Sequence, residues 1–210
     1  MQVTIFGAAG MVGKRLCEQA IALGWGVTAF DRKIEHWLDR EPAAGQFIAI
    51  KGYMMDVEGI AKAIRGADAV IIALSGHMES GDKSRIIGCR NIISAMQMQQ
   101  KSRLIILSTD GVLEDAAGKY VFEDADYPNE KKEVSEQYAR VWELLTTTQL
   151  RYTMVCVAEV LDAPESKAYH TCLDSLPDGG LPPIQAGDLS RYILRTIPLD
   201  EHVYHRVGIG

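Results

Sequence analysis

Three evenly spaced glycines, Gly7, Gly10 and Gly13, stand between a short apolar strand and a run of residues with helical character. Glycine has no Cβ and tolerates positive φ, so a turn built from it lets backbone come close to a pyrophosphate. The N-terminus of the following helix adds unpaired N–H groups and partial positive charge. We therefore predict a dinucleotide-binding turn, although a turn of small residues could also serve only to pack the helix on the strand. The residues predicted to line the ligand are Gly7, Ala9, Gly10, Met11, Val12 and Gly13.

The length of the chain, 210 residues, suits one α/β domain and leaves little room for a second. We expect a single dinucleotide-binding domain over residues 1–210, with a small substrate-side excursion at about 162–183, where Pro, Gly and charged residues are frequent. No apolar stretch approaches the roughly 20 residues that span a bilayer, and the N-terminal apolar residues form a strand instead of a signal peptide. We expect a cytoplasmic protein with no membrane partner.

Charge and cysteine usage narrow the function classes further. The net charge of −6 argues against a nucleic-acid surface. The four cysteines, Cys17, Cys89, Cys156 and Cys172, show no C-x-x-C spacing and fall mostly in apolar patterns. Such positions favour buried thiols over disulfides or zinc, so we expect no metal site.

Runs of residues typical of strands alternate along the chain with runs typical of helices, which indicates a doubly wound parallel sheet. The run Ala69–Leu74 is continuously apolar, as expected of a strand buried on both faces at the centre of such a sheet. We predict a Rossmann-like α/β fold with helices on both faces of the sheet. The predicted strands are Val3–Phe6, Gly26–Asp31, Gln46–Lys51, Ala69–Leu74, Arg103–Ser108, Tyr152–Val157 and His202–Ile209. The predicted helices are Lys14–Gly24, Glu58–Arg65, Ser84–Gln100, Glu130–Thr146 and Gly187–Ile197.

Short motifs follow one another in a specific order along nearly the whole chain. They are Ile5–Gly10, Val27–Arg32, Asp56–Val57, Gly66–Gly76, Cys89–Met96, Leu150–Thr153 and Gly187–Tyr192. With the G-x-x-G-x-x-G turn, this order resembles that of the atypical short-chain dehydrogenase/reductases, in particular the NmrA-like and NAD(P)H-flavin reductase (biliverdin reductase B) type. The resemblance implies a Rossmann-like fold, bound NAD(P) and, in some members, hydride transfer to a flavin, quinone or tetrapyrrole. Other members of the group bind the dinucleotide and regulate instead.

Asp31 and Arg32 stand at the carboxyl end of the second predicted strand, where a side chain can reach the adenosine ribose. An aspartate there accepts hydrogen bonds from ribose hydroxyls, which favours NAD. The resemblance gives Arg32 the role of pairing with the 2′-phosphate of NADP, which suits a guanidinium. Asp31 favours NAD and Arg32 favours NADP, so we expect NAD or dual use, unless both side chains only face solvent.

Two further segments are expected to line the dinucleotide. The resemblance implies contacts from Asp56 and Val57 to the adenine amino group, whereas Asp56 could equally be the N-cap of the helix that follows. Leu74, Ser75 and Gly76 follow the central strand. They should line the adenosine-ribose side of the crevice, because ligands of open α/β sheets bind outside the carboxyl ends of the strands.

Ser108, Thr109 and Asp110 end the strand on which short-chain dehydrogenases carry a catalytic serine. A hydroxyl at this place could polarise a carbonyl or position the nicotinamide, and Asp110 could tune its hydrogen bond. The alternative is an ordinary strand-end turn, since all three residue types favour turns.

Tyr127 and Lys131 spell Y-x-x-x-K, which in the main short-chain family places a phenol and an ammonium one helical turn apart, the lysine lowering the phenol pKa. Pro128 disfavours helical conformation in the residue before it, so we expect Tyr127 to lie outside the helix. Aligned on Leu150–Thr153 instead, the flavin-reductase-like pattern places Tyr138 beside the nicotinamide, with no matching lysine. Both arrangements stay candidates for catalysis.

These features predict an NAD(P)-binding oxidoreductase that passes hydride to a small conjugated acceptor such as a flavin or quinone. Glu159 stands where the flavin reductase type has a histidine, which disfavours a biliverdin-like reaction. One alternative is a redox-sensing regulator that binds the dinucleotide and presents it to a protein partner. The other is a sugar-nucleotide epimerase or dehydratase, which the small C-terminal part of the chain disfavours.

Overall fold

Parallel strands build the first half of the chain: β1 (Gln2–Phe6), β2 (Gly26–Asp31), β3 (Phe47–Lys51) and β4 (Ala69–Ile72). They lie in the order β3-β2-β1-β4, with Ile5 opposite Ala29 in β2 and Ile71 in β4. These three side chains are fully buried, as the apolar runs predict. The computed structural model describes residues 1–38, 47–74 and 84–210, which divide into one unit over Met1–Leu104 and a second over Ile105–Gly210.

The helices of the first unit are α1 (Met11–Ala22), α2 (Glu35–Leu38), α3 (Val57–Ala63) and α4 (Ser84–Met98). In α1, the buried residues Val12, Leu16 and Ala20 recur at every fourth position, so one face of the helix packs inward. Strands β2 and β3 lie on one side of β1 and β4 lies on the other. The carboxyl end of β1 is therefore a topological switch point, the place where ligands of such sheets bind, and the glycine turn begins there.

The second unit repeats the alternation of strands and helices. Its strands are β5 (Arg103–Thr109, which begins at the boundary), β6 (Arg151–Val157), β7 (Val160–Leu161), β8 (Thr171–Leu173), β9 (Ile184–Gln185) and β10 (His205–Ile209), and its helices are α5 (Asn129–Thr146) and α6 (Ala186–Leu199). The sheet order is β5-β6-β10-β8, in which β10 runs parallel to β6 and antiparallel to β8. Strands β7 and β9 form a separate parallel pair.

The predicted Rossmann-like, doubly wound α/β fold is confirmed, with differences at the ends of elements. Helix α1 begins at Met11, earlier than predicted, so Gly13 lies inside the helix. Strand β10 begins at His205 instead of His202, because Asp200, His202 and Tyr204 have positive φ values of 56°, 54° and 71° and turn the chain after α6. The excursion at 162–183 contains β8, which extends the sheet beside β10.

No helix within residues 1–38, 47–74 and 84–210 is long and apolar enough to cross a membrane. All four cysteines lie in these ranges and are free thiols. Cys17, Cys89 and Cys156 are buried, as predicted, and Cys172 is half-buried. Burial raises the pKa of Cys89 to about 12, so this thiol stays protonated and unreactive.

Candidate functional site

Packing excludes side chains at two of the three glycines, Gly7 in the turn between β1 and α1 and Gly13 in the first turn of α1. Gly7 has a φ of 85°, and a Cβ on it would overlap the carbonyl oxygen of Ala73. A Cβ on Gly13 would overlap the carbonyl oxygen of Gly7, so α1 lies directly against the turn. Backbone hydrogen bonds from Gly7 to Phe30 and from Gly10 to Gly7, both at 3.0 Å, close the turn. Gly7 and Gly13 are therefore required by the fold itself.

Gly10 differs from the other two glycines. It is the N-cap of α1, its φ of −72° is open to any residue, and its own position provides no side-chain cap. The first turn of α1, all of it described, carries no acidic side chain, so the partial positive charge of this helix end is available to a phosphate. Met11 is 41% exposed and Ala9 is half-buried, whereas Val12 is buried. The turn thus fits a pyrophosphate on the side of Gly10.

Asp31, at the end of β2, is attached to the glycine turn. Its Oδ2 accepts a hydrogen bond from the backbone N–H of Ala9 at 3.3 Å, and its Oδ1 accepts one from the N–H of Lys33 at 2.9 Å. The Asp31 side chain is half-buried, and the neighbouring Arg32 is exposed. Asp31 therefore does more than face solvent, and its carboxylate lies beside the backbone that would meet the ligand.

Trp37 in α2 supports the same turn, although no sequence motif marks it. Its indole Nε1 donates a hydrogen bond to the carbonyl oxygen of Ala8 at 3.0 Å, and the side chain is 1% exposed. The indole ring packs on Phe47 of β3, with ring centroids 5.2 Å apart. Two side chains, Asp31 and Trp37, thus hold the two ends of one peptide group of the turn, that between Ala8 and Ala9, before any ligand binds.

The residues after β3 form the start of α3 and an exposed apolar surface. Asp56 is the N-cap of α3, where its Oδ1 accepts a hydrogen bond from the N–H of Gly59 at 2.9 Å. The N-cap alternative is thereby confirmed, and the contact of Asp56 and Val57 with adenine stays a prediction. Val57 is 54% exposed, and so are the nearby Tyr53 and Met55, at 61% and 54%.

The predicted segment after the central strand is only partly described. Strand β4 ends at Ile72, and Leu74 follows as a half-buried residue. Ser75 and Gly76 lie outside the described residues. Their contacts with the ribose stay predictions.

In the second unit, four side chains from two segments meet in a hydroxyl cluster, made of Thr109, Asp110, Tyr127 and Ser135. The Oγ1 of Thr109 lies 2.8 Å from the Oγ of Ser135 in α5. The Oη of Tyr127 donates to Oδ1 of Asp110 at 2.9 Å and lies 3.1 Å from Oγ of Ser135. Ser135 is fully buried and Tyr127 is 8% exposed, whereas Thr109 and Asp110 are half-buried. The predicted candidates Thr109 and Tyr127 therefore meet through Ser135, which no motif marks.

Gly111 makes the close approach of these hydroxyls possible. A Cβ on Gly111 would lie 2.5 Å from the Oγ of Ser135 and 2.6 Å from the Oη of Tyr127. Gly111 belongs to a 3-10 helix over Asp110–Val112, which the buried Arg206 holds by donating to the carbonyl oxygen of Val112 at 2.9 Å. A side chain at position 111 would therefore push the cluster apart.

Ser108 lies outside the hydroxyl cluster, although it neighbours Thr109. Successive residues of a strand point to opposite faces, and Ser108 and Thr109 are the last two residues of β5. Ser108 is 4% exposed, and its Oγ has no hydrogen-bond partner within the part of the chain that the structure describes. A buried hydroxyl of this kind can still bind a polar group of a ligand.

Tyr127 and Lys131 do not form the tyrosine–lysine dyad of the main short-chain family. Helix α5 begins at Asn129 with Pro128 as N-cap, so Tyr127 lies outside the helix, as predicted. The Nζ of Lys131 donates to the carbonyl oxygen of Ala158 at 2.9 Å. Burial, and then the negative charge of Asp110, raise the pKa of Tyr127 well above its usual range, although the hydrogen bond with Ser135 acts in the opposite direction. The phenol is therefore a neutral donor, not an activated acid.

Tyr138, Glu159 and Asp188 lie in environments that the packing of the fold explains. Tyr138 in α5 is 3% exposed and belongs to the buried face of that helix. Glu159 is exposed, which agrees with an ordinary solvated loop residue. Asp188 in the first turn of α6 is 1% exposed and accepts hydrogen bonds from the N–H and hydroxyl of Ser166 and the N–H of Lys167, at 2.8, 2.7 and 2.8 Å. Asp188 thus anchors the excursion at 162–183.

A family model described as NAD(P)H-binding matches residues 7–198, from the glycine turn to α6. The chain belongs to this NAD(P)H-binding family. The model covers both the turn that fits a pyrophosphate and the hydroxyl cluster. Dinucleotide binding is therefore confirmed at the level of the family, and the choice between NAD and NADP is left to the ribose-side residues.

Relatives of this NAD(P)H-binding chain include reductases. The 2-alkyl-3-oxoalkanoate reductase of Shewanella oneidensis is 27% identical over 167 residues, which are 73% of this chain but 42% of that protein. The chain thus spans less than half the length of that relative. The solved anaerobillin reductase ChuY of Escherichia coli O157:H7 has a TM-score of 0.81 at 18% identity, with 100% of this chain and 96% of that chain covered.

A second solved structure, from Streptococcus pneumoniae TIGR4 and assigned as an NADH-flavin reductase, has a TM-score of 0.78 at 20% identity. The alignment covers 100% of this chain and 98% of that chain. At such identities the likeness shows a shared fold. The resemblance inferred from the sequence motifs is confirmed at the level of family and fold.

Proposed function

We propose that this chain is an NAD(P)H-dependent reductase whose acceptor is a flavin, a quinone or a similar conjugated molecule. The observation that carries the choice of acceptor is the state of Tyr127, whose phenol donates to the carboxylate of Asp110 while Lys131 is bound to the carbonyl oxygen of Ala158. A phenol in this state is poorly suited to protonate a substrate. Bound NAD(P)H supplies the hydride.

The first unit provides the groups for holding the dinucleotide. The N–H groups at the start of α1, beside Gly10, bind the pyrophosphate. The carboxylate of Asp31 has lone pairs beyond those used by Ala9 and Lys33, and these accept hydrogen bonds from ribose hydroxyls. The exposed side chains of Tyr53 and Val57 offer an apolar surface to the adenine.

The ribose-side residues support NAD or dual use. The Asp31 carboxylate is held beside the turn and would repel a 2′-phosphate. Arg32 is exposed and free to swing towards such a phosphate, which keeps NADP accessible. We therefore propose a preference for NADH that is moderate in size.

Reduction of a conjugated acceptor requires less proton donation from the protein than reduction of a carbonyl does. Reduction of an isolated carbonyl places negative charge on one oxygen, which an enzyme stabilises with a well-matched proton donor. A flavin or quinone spreads that charge over its ring system and can take its proton from water. The protein then needs chiefly to position the two rings, which backbone and neutral hydroxyl groups can do.

Reduction of a carbonyl substrate is the second candidate. It is favoured by one relative, which is named a 2-alkyl-3-oxoalkanoate reductase, and by the presence of the Tyr127 hydroxyl in a polar cluster. A protein that binds the dinucleotide and reduces neither class of acceptor would be a regulator instead of an enzyme. The cytoplasmic location and the absence of nucleic-acid partners stay predictions.

An acceptor screen tests the proposal. The purified protein is mixed with NADH or NADPH and with flavins, quinones or a 2-alkyl-3-oxo ester, and oxidation of the reduced dinucleotide is followed by absorbance. We expect turnover with a flavin or quinone. Turnover only with the oxo ester would transfer the assignment to carbonyl reduction. Tight dinucleotide binding with no acceptor reduced would favour the regulator.

The variant Tyr127→Phe separates the two enzymatic candidates. If the acceptor needs no acid from the protein, Tyr127→Phe keeps the turnover number within a few fold of the wild type, and Thr109→Val or Ser108→Ala lowers it more. Tyr204→Phe, at a side chain 54% exposed, is the control for loss of a tyrosine hydroxyl. A fall of about a hundredfold in Tyr127→Phe is the size expected of a general acid and would contradict the proposed acceptor class.

A further inference from the structure

The hydroxyl cluster contains three hydroxyl protons, and its geometry assigns each one a direction. A carboxylate can only accept, so the proton of Tyr127 points to Oδ1 of Asp110, 2.9 Å from its oxygen. A carbonyl can also only accept, and Oγ of Ser135 donates to the carbonyl oxygen of Lys131 at 2.9 Å. The oxygens of Tyr127 and Ser135 also lie 3.1 Å apart, and either could donate in that contact. Whichever of these partners each proton takes, the protons of Tyr127 and Ser135 both stay within the protein.

The remaining proton is that of Thr109, and its direction follows from the other two. Ser135 has one proton, which Lys131 or Tyr127 accepts, so the short contact of 2.8 Å between Thr109 and Ser135 is a hydrogen bond that Ser135 accepts. Thr109 is thus the donor in that contact, and its proton points into the protein. Thr109 and Asp110 are the half-buried residues of the cluster, whereas Ser135 is fully buried, so a bound molecule would meet the cluster on their side. There Oδ1 of Asp110 already accepts from Tyr127, and Thr109 offers its free lone pairs.

We propose that Asp110, Tyr127 and Ser135 orient Thr109 as a hydrogen-bond acceptor, so that this end of the cluster is a binding site for an amide-type N–H group and not a proton donor. Thr109 is then the residue that touches the bound molecule, and the other three are positioning residues. The inference rests on the proposed function for the identity of that molecule. Two sources fit the same chemistry: the carboxamide of the nicotinamide and the imide N–H of a flavin.

The contact between the hydroxyls of Ser135 and Tyr127 requires a glycine at position 111. The oxygens of Ser135 and Tyr127 can approach each other only because position 111 has no Cβ, which would lie 2.5 and 2.6 Å from them. A glycine kept for such an approach is typical of a site in which hydroxyl positions matter. The carboxylate of Asp110, on the preceding residue, fixes the polarity of the Tyr127 hydroxyl from the same 3-10 helix.

Pairs of probes that differ in one N–H group test the proposal by calorimetric binding, with no need for turnover. The first pair is NAD⁺ and its 3-acetylpyridine analogue, and the second is a flavin and its N3-methyl derivative. For the pair that meets Thr109, we expect the N–H form to bind the wild type about tenfold more tightly, which corresponds to about 1.4 kcal/mol. Which pair shows the difference identifies the source of the N–H.

Variants then locate the acceptor. Thr109→Val removes the lone pairs at constant shape and is expected to abolish the tenfold ratio, whereas Thr109→Ser keeps a hydroxyl and should retain it. Ser135→Ala removes the acceptor of the Thr109 proton, which can then point outward. The affinity of the N–H probe relative to its acetyl or methyl counterpart should then fall, because the counterpart gains or keeps its affinity. A general loss of affinity for both probes of a pair would indicate a merely structural role.

Two results would overturn the inference: a ratio near one for both pairs in the wild type, or a ratio that Thr109→Val leaves unchanged. Failure of the reductase proposal looks different, because it appears as absence of turnover in the acceptor screen while the ratio for the dinucleotide pair is still measurable. A wild type that binds the dinucleotide pair with a tenfold ratio and reduces nothing would keep the inference and reject the reductase.

Discussion

The indole Nε1 of Trp37 donates a hydrogen bond to the carbonyl oxygen of Ala8 at 3.0 Å, so a buried side chain of α2 fixes the second residue of the glycine turn. Asp31 holds the other end of the same peptide group, because its carboxylate accepts a hydrogen bond from the N–H of Ala9. A turn fixed in this way loses little conformational freedom when a pyrophosphate binds.

Trp37→Phe is expected to weaken both the fold and the site. The phenyl ring keeps most of the packing on Phe47 but leaves the carbonyl of Ala8 without its donor, which costs about 1 kcal/mol of unfolding free energy or more. Dinucleotide affinity should fall several fold, because the turn becomes looser. Denaturant unfolding and calorimetry measure the two effects, with Trp25→Phe as the matched control. Equal affinities in the two variants would mean that Trp37 has no part in holding the turn.

Gly10→Val should abolish dinucleotide binding in a protein that still folds. The φ of −72° at Gly10 tolerates a branched residue, but its side chain would stand at the helix N-terminus where phosphate oxygens bind. Gly13→Val is the contrasting variant and should fail to fold, because its Cβ would overlap the carbonyl of Gly7. Calorimetric titration of folded Gly10→Val decides the matter, and an unchanged affinity would contradict the proposed pyrophosphate site.

Asp31→Ser is expected to shift cofactor choice towards NADPH. Removing the carboxylate removes its repulsion of a 2′-phosphate and its acceptors for ribose hydroxyls, so affinity for NADPH relative to NADH should rise at least tenfold, about 1.4 kcal/mol. Since Asp31 also accepts from the N–H of Ala9, both absolute affinities should decrease somewhat. Arg32→Ala should move the ratio in the opposite direction. If neither variant changes the ratio, neither residue reads the ribose.

Asp188→Ala should destabilise the second unit in a pH-dependent manner. Burial alone would raise the pKa of Asp188, but hydrogen bonds from Ser166 and Lys167 hold it below the ordinary aspartate value. A carboxyl with a lowered folded-state pKa contributes stability above its unfolded pKa of about 3.9 and loses that contribution as the pH falls through the folded value.

The variant should therefore be about 2 kcal/mol less stable from about pH 5 to 8, the size expected for hydrogen bonds to a charged group, and the difference should shrink below about pH 4. Urea unfolding at several pH values measures it. Asp178→Ala, at an exposed position of the same excursion, is the control. A difference that stays constant down to pH 3 would assign the loss to packing alone.

Features that depend on local pattern could be predicted from the sequence. Apolar runs such as Ala69–Ile72 identify buried strands, and the spacing of Gly7, Gly10 and Gly13 identifies the turn, because strand burial and close backbone approach act on neighbouring residues. The effect of Pro128 on Tyr127 is equally local, since it comes from a clash between adjacent residues.

Which polar groups meet could not be predicted in this way, because their contacts depend on the packing of distant segments. Ser135 reaches Thr109 across 26 positions of the chain, and Trp37 reaches Ala8 across 29. Such pairs depend on where β5 ends relative to α5, or α2 relative to the turn, and no period of 2 or 3.6 residues records those distances. The pKa of Tyr127 was likewise open to either sign from the sequence. The pKa is raised because the phenol is buried and lies beside the Asp110 carboxylate. Lys131, which could have lowered it, donates to the carbonyl oxygen of Ala158 instead.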